Sequence, residues 1–398
     1  MSSRIRIAFF AENLIEDLDG ASRTIFNIIN LIPKDKFEVV FYTGLPPKKS
    51  FEFKYVLVPT LSIPFNKDYS VALPQLVYFQ LSHELKKFNP DIIHISTPSL
   101  LGNFALGFAN SQKIPVSTIY HTHFISYIDY YFEKIPTLIR PIKNWVIKNQ
   151  KNFYERCNAV YVPSRGMINE LKTYGFNSQN FKIWPRGINA DKFSVKKRNE
   201  SKLHSITGNG YKNILFASRL VWEKNLKTLI KVYQDAISKS LKVNFIIAGD
   251  GVAKESLQKQ MPKAFFLGHL DHNELSTIYA SCDVFLFTSI SETYGNVVAE
   301  AMASGLPCVI ANSGGSAYFI EHGVNGFLCE PENSKAYLDN IIAILENDVL
   351  SNSFRLRGLE FTSKLDWENL TKTYFDDLTL IAYQSSINKI PSELDFSF

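Results

Sequence analysis

Apolar residues in this chain fall in short continuous runs, separated by segments in which they recur every three or four positions. The runs at 5–11, 37–43, 55–58, 91–96, 115–120, 159–162 and 181–184 predict strands. Between them, 21–32, 75–88 and 167–174 carry the helical period. A polar stretch, 194–211, interrupts the pattern, which restarts with strand-like runs at 213–217, 243–248, 264–267, 284–288 and 308–311. From Ser334 onward the spacing is helical, with no further strong strand. Strands alternating with helices predict parallel sheets covered on both faces, so the fold class is α/β with two tandem doubly wound, Rossmann-like sheets. The junction is expected near 186–212, dividing the chain into 1–188 and 189–366. Sheets of this kind bind ligands past the carboxyl ends of their strands, which directs attention to the residues just after each run.

Length agrees with that division, since 398 residues exceed one ordinary core. Apolar content of 45% and charged content of 20% are those of a globular protein, and no apolar run approaches a membrane span. The N-terminus reads directly as a first strand, without a signal-peptide pattern, so a cytoplasmic location is expected. Cysteines 157, 282, 308 and 329 have neither metal-like nor redox-motif spacing and are expected as reduced thiols. Charge is uneven. Residues 1–188 hold 22 Lys/Arg against 14 Asp/Glu, a net +8, while the remainder is −3. The basic first half suits an anionic membrane surface and a peripheral location on its inner face, although chance would produce the same imbalance. In 125–156 the aromatics Tyr130, Tyr131, Phe132 and Trp145 interleave with Arg140, Lys143, Lys148 and Lys151. That mixture fits an interfacial contact, and equally a helix whose apolar stripe faces the core.

The most informative segment is Ser289-Ile-Ser-Glu292-Thr-Tyr294-Gly295-Asn296-Val297-Val-Ala-Glu300, closed by Gly305-Leu-Pro307. It places Glu292 in a loop after an apolar strand, Gly295 at a helix entrance and Glu300 inside the helix. The first N–H groups of a helix lack intrahelical partners and favour an anion, while flanking carboxylates suit ligand hydroxyls. A nucleotide-sugar offers both. After the first strand, Gly20 would let the backbone approach a diphosphate, though an ordinary turn capped by Asp19 or Ser22 reads the same way. After the strand at 213–217 come Arg219 and Lys224, with a helix expected to begin near Glu223 or Lys224. A lysine there opposes the helix dipole, unless both cations clasp a pyrophosphate leaving group. Gly249-Asp250-Gly251 reads as a structural turn, and the backbone at Gly268 could receive a flat base. His269 and His272 have no ligand-spaced third partner, so neither a metal nor any other cofactor is expected. His121, past the fifth strand, could bond a sugar hydroxyl or be a satisfied buried histidine; His123 reads as the latter. Trp184-Pro-Arg186-Gly187-Ile188 leads into the junction, with a hinge glycine and a cleft-facing arginine as one reading and plain joining as the other.

Together these residues resemble a retaining family 4 glycosyltransferase with the GT-B fold. The E-x7-E motif of Glu292 and Glu300 is the most specific element, followed by Arg219 with Lys224 and by Gly314-Gly315. The segments around Gly20, His121 and Trp184 are similar to a narrower branch, the sulfoquinovosyl-diacylglycerol synthase-like and lipid-directed mannosyltransferase-like enzymes. The resemblance implies transfer of a hexose from a UDP- or GDP-linked sugar to a hydroxyl of a lipid or growing glycan, without nucleic acid as partner. It implies that Glu300 holds the ribose, Glu292 the sugar hydroxyls, Arg219 and Lys224 the diphosphate, and Tyr294, Gly295, Asn296 and Val297 the sugar and phosphates. His121 would contact the sugar from the acceptor-side domain, and a C-terminal helix at about 367–385 would cross back onto that domain. Two departures stand out: His123 where the branch has Asp, and Ser316-Ala317-Tyr318-Phe319 where relatives often carry Pro-Glu. A nucleotide-sugar epimerase of the same fold, like UDP-N-acetylglucosamine 2-epimerase, is the alternative function.

Overall fold

The computed structural model describes residues 4–387 apart from 17, 19, 64–65, 126–127 and 129–134. Asp19, Tyr127 and the run Tyr130-Tyr131-Phe132 therefore lie outside the described residues. The chain opens with β1 (Ile5–Asn13), α1 (Gly20–Asn30), β2 (Phe37–Leu45), β3 (Lys54–Leu57) and a hairpin, β4 (Thr60–Ile63) with β5 (Asn66–Ala72). It continues through α2 (Tyr78–Phe88), β6 (Ile92–Ile95), α3 (Leu100–Ser111), β7 (Val116–Ile119), α4 (Pro136–Tyr154), β8 (Ala159–Val162), α5 (Arg165–Thr173) and β9 (Phe181–Ile183). The second half runs α6 (Glu200–Thr207), β10 (Lys212–Ala217), α7 (Leu226–Ser238), β11 (Val243–Ala248), α8 (Lys254–Gln260), β12 (Phe265–Gly268) and α9 (His272–Ser281). It ends with β13 (Val284–Phe287), α10 (Asn296–Ala303), β14 (Cys308–Ala311), β15 (Gly326–Cys329), α11 (Ser334–Glu346), α12 (Asp348–Thr362) and α13 (Trp367–Ile387).

Two parallel sheets result, ordered β3-β2-β1-β6-β7-β8-β9 and β12-β11-β10-β13-β14-β15. The expected doubly wound α/β architecture is present twice. In each sheet the strand order reverses once, between β1 and β6 and between β10 and β13. Those switch points open crevices at the strand ends, and the loops at Gly20, Ser218 to Lys224 and Ser289 to Gly295 occupy them. The strands are nearly continuous apolar runs because both faces are covered. One face of the first sheet packs Leu81 and Leu85 of α2, Leu101, Ala105 and Leu106 of α3, and Phe153 and Tyr154 of α4. The other packs Ile25, Ile28 and Ile29 of α1 together with Tyr374, Phe375 and Leu378 of α13.

Helix α13 thus crosses back onto the first sheet. Trp184 donates its Nε1–H to the Leu370 carbonyl at 2.8 Å, and Tyr374 Oη meets His94 Nδ1 at 2.7 Å. The chain passes between the halves twice at one place: Ile188 pairs with Asp366 in parallel, and its N–H donates to the Leu365 carbonyl at 2.7 Å. Gly187 is small by necessity, since a Cβ would stand 2.5 Å from the Trp367 ring. Its role here is close packing.

Several local expectations need correction. The polar stretch at 194–211 contains α6, whose Leu203 enters the second core with Ile188 and Phe193. The β4–β5 hairpin and β15 lie outside the strands read from the pattern. Helix α7 begins at Leu226, not at Glu223 or Lys224. Those two residues form a 3-10 turn, and Asn225 at φ 52° separates the turn from the helix. All four cysteines are free and buried.

Candidate active site

The loop that carries Glu292 is built on β13. Past Phe287 the chain buries Thr288 and Ser289, turns through Glu292, and enters α10 at Gly295. Gly295 takes φ 86° and lies so close to the Gly314–Gly315 turn that a Cβ would stand 2.6 Å from Ser316 Cβ. The turn is also tied by the Gly315 N–H, which donates to the Glu292 carbonyl. The N-cap residue of α10 is Gly295, which makes no side-chain cap bond, so the first N–H groups of the helix lack a capping partner there. Opposite stands the start of α1: a Cβ on Gly20 would lie 3.6 Å from Asn296 Nδ2 and 3.7 Å from Arg186 Nη1. Two helix N-termini, one from each half, therefore converge beside a guanidinium.

Lys224 lies beneath the loop with 4% of its side chain exposed. Its Nζ donates to Glu292 Oε1 at 2.7 Å and stands 3.6 Å from Glu223 Oε1. Arg219 Nη2 donates to Glu223 Oε1 at 2.9 Å while two-thirds of its side chain remains exposed. The expected bare cation pair is thus a balanced quartet, two cations with two carboxylates. Sequence reasoning missed Glu223; the dipole conflict at Lys224 was the available signal. Burial pushes the Glu292 carboxyl upward, but the charge and hydrogen bond of Lys224, with Ser289 and Arg219, hold it below the usual carboxylate value.

Glu300, one turn into α10, is buried apart from that quartet. Burial pushes its carboxyl up to about 7, opposed by Arg23, by the hydroxyl of Tyr279 and by Lys192. It borders a cavity of about 150 Å³ between α1, the crossing segment at Gly187 to Phe193, and α10. The remaining site expectation in the second half, Gly268, ends edge strand β12 at φ 70°, its carbonyl accepting from the Gly249 N–H at 2.7 Å.

In the first half His121 follows β7, buried, with both ring nitrogens unbonded to any of the described residues. Burial, then the charge of Arg186 and the proximity of His94, hold it well below the ordinary histidine value, so it is a neutral imidazole. Arg186 Nη2 donates to the His121 carbonyl at 2.8 Å, while the guanidinium lies 5.6 Å from the Tyr294 ring centre. Tyr294 Oη in turn donates to the Arg186 carbonyl at 2.9 Å. Arg186 thereby couples the His121 loop to the Glu292 loop. His123 is the satisfied histidine expected of it: Nδ1 meets Tyr120 Oη at 2.7 Å and Nε2 stands 2.9 Å from Glu170 Oε1. Its N–H also donates across the cleft to Thr293 Oγ1 at 2.9 Å. Among the described residues no group of His, Cys, Asp and Glu could hold a metal ion.

Two family models divide the chain between them: "Glycosyltransferase Family 4" over residues 18–192 and "Glycosyl transferases group 1" over 198–360. The sulfoquinovosyl transferase SQD2 of Arabidopsis thaliana is 30% identical over 384 residues, covering 93% of this chain and 72% of that protein. The chain belongs to the family 4 glycosyltransferases. A GDP-mannose-dependent alpha-mannosyltransferase of Corynebacterium glutamicum is 28% identical, covering 92% of this chain and 86% of its own length. HepE of Anabaena, solved with UDP and glucose, superposes with a TM-score of 0.69 at 20% identity, covering 94% of this chain and 100% of that one. The protein is therefore a retaining hexosyltransferase of GT-B fold, and the family match favours that reading over the epimerase.

Proposed function

We propose that the enzyme takes a nucleotide diphosphate hexose with its diphosphate between the N-termini of α1 and α10, and transfers the sugar to a membrane lipid or glycolipid. The convergence of Gly20, Asn296 and Arg186 carries this reading, because two helix dipoles and a cation there favour one anionic group. The second domain is the donor half: Glu300 holds the ribose, and Glu292 turns from Lys224 to the sugar hydroxyls. Arg219 and Lys224, released from their carboxylates, stabilise the leaving diphosphate in place of a metal. Gly268 faces the base. The N–H groups around Tyr294, Gly295, Asn296 and Val297 face the sugar and phosphates, and His121, a neutral imidazole, bonds a sugar hydroxyl. In the reaction the anomeric C–O bond to phosphate breaks while the acceptor oxygen bonds on the same face. The acceptor's proton passes to the departing phosphate oxygen, so no protein nucleophile is required.

The first domain supplies the acceptor and the membrane contact. The starts of α2, α3 and α4 share the carboxyl edge of the sheet, and Phe79 (87% exposed), Leu76, Leu100, Leu138 and Trp145 (67%) are open there or along α4. Helix α4 carries Arg140, Lys143, Lys148 and Lys151 without one acidic residue. Apolar side chains beside cations suit an anionic lipid surface, and among the described residues no helix is long and apolar enough to cross a membrane. The test is a panel of UDP- and GDP-hexoses read by thermal protection, then transfer of the labelled sugar from the protecting donor to extracted lipids or to soluble sugars. A donor at 100 times its Kd should stabilise by about 2.7 kcal/mol. Protection by none of them removes the donor reading; label only in water-soluble product removes the lipid acceptor.

A further inference from the structure

Below the two helix termini the cleft is crossed by a contact that the transfer reaction does not itself call for. Arg23 stands one turn into α1, and its Nη1 meets Nε2 of His272, the first residue of α9 in the opposite half. His272 is well supported. Its ring lies edge-on to buried Phe193, centroids 5.9 Å apart, and Asp271 fixes the helix start by accepting from the N–H groups of Asn273 and Glu274. Arg23 and His272 line the same cavity as Glu300, together with Glu16 and Lys192.

Glu300 needs such a neighbour. A carboxylate accepts hydrogen bonds at both oxygens only while ionised, and once protonated it must donate one instead. Buried without a cation it would neutralise itself. The groups that face it are Arg23 from α1, Tyr279 from α9, Lys192 from the crossing segment, and Glu16 and His272 around the cavity. Of these Arg23 is the strongest in favouring the anion. We propose that Arg23 is a positioning residue of the donor site: anchored on His272 across the cleft, it supplies the cation that lets Glu300 remain an anion, ready to accept two ribose hydroxyls, while the domains are closed. The proposal rests on Glu300 as the ribose ligand.

The test uses the full-length enzyme with UDP and GDP as probes, their affinities measured by calorimetry from pH 6 to 9. Wild-type binding should weaken on acidification through about 7. Arg23→Gln should move that midpoint up by about one pH unit, leaving binding roughly fivefold weaker at pH 7 and recovering above pH 8.5. Arg23→Lys should keep the wild-type midpoint. Should Arg23→Gln not fold, His272→Phe keeps the packing on Phe193, loses the anchor, and should move the midpoint the same way. An unmoved midpoint, or a loss equal at every pH, overturns the proposal. Glu300→Gln separates the two ideas. Wild-type affinity in that variant sinks the ribose assignment itself, whereas weakened, pH-independent binding beside an unmoved Arg23→Gln midpoint sinks only the role of Arg23.

Discussion

Replacing Lys224 with methionine should destabilise the second domain more than a loop substitution ordinarily does, and more at pH 8 than at pH 5. The side chain is 4% exposed and touches two carboxylates, Glu292 at 2.7 Å and Glu223 at 3.6 Å, themselves 20% and 3% exposed. At 2.7 Å and an effective dielectric near 20, the Lys224–Glu292 attraction is about 6 kcal/mol before desolvation. Breaking a buried pair costs on the order of 3–5 kcal/mol net. Glu223 keeps Arg219 at 2.9 Å and Glu292 keeps Ser289 at 2.9 Å, which favours the low end, about 3 kcal/mol. For a domain of this size that is a fall of about 6–12 °C in Tm. The pH dependence follows from Glu292. In the wild type its folded-state pKa is depressed, so its stabilisation is present above the unfolded value and is lost as pH falls through the folded one. Without Lys224 burial dominates and the folded pKa rises above the unfolded value. The penalty then stands at high pH and fades on acidification. Urea denaturation at pH 8, 6.5 and 5 should show the gap between the two proteins closing toward acid. Lys224→Met with Glu292→Gln should recover at least half of the pH 8 loss. A gap below about 1 kcal/mol, the level of an exposed ion pair, or a gap constant with pH, would refute the buried quartet.

Two further outcomes are expected. His121→Ala should lower kcat by about 10–100-fold through loss of a transition-state hydrogen bond, while thermal protection by UDP or GDP stays near wild type; unchanged turnover with a verified donor removes His121 from the site. Phe79→Ser combined with Trp145→Ser should abolish sedimentation with anionic vesicles and leave nucleotide protection intact; full vesicle binding by the double variant places the membrane contact elsewhere.

The strand framework was legible because each strand of a doubly covered sheet must be apolar on both sides, and short runs such as 159–162 and 284–287 are unbroken and bounded by polar residues or proline. Strand β15, Gly326–Cys329, escaped because its apolar run is only Phe327 to Cys329, set between Asn325-Gly326 and Glu330. The β4–β5 hairpin escaped because its polar residues never let the apolar pattern build. Helix α6 hid in a polar stretch because mainly Leu203 and Thr207 turn inward. In the site, the helix entrance at Gly295 could be read locally, since a glycine between a strand and a helix speaks for its own backbone. The partners could not. That Lys224 reaches Glu292, Arg186 the His121 carbonyl and Arg23 the ring of His272 depends on which crevices face each other, and residue spacing carries no trace of that.

Helix α13 covers part of one face of the first sheet with residues that are made after both sheets. Until Tyr374, Phe375 and Leu378 arrive, Ile7, Phe9, Phe37 and Phe41 have α1 over them but no helix on the remaining part of that face. About 180 residues of the second half are translated in between, on the order of 10–40 s of synthesis at ordinary elongation rates. The second domain, continuous in sequence from Ile188 to Leu365, can close its own core within that interval. The packing of the first sheet thus waits on residues translated after the second sheet. The half that emerges first is completed second, and a chain cut between residues 365 and 374 would carry the whole second core beside a first sheet with one face partly open.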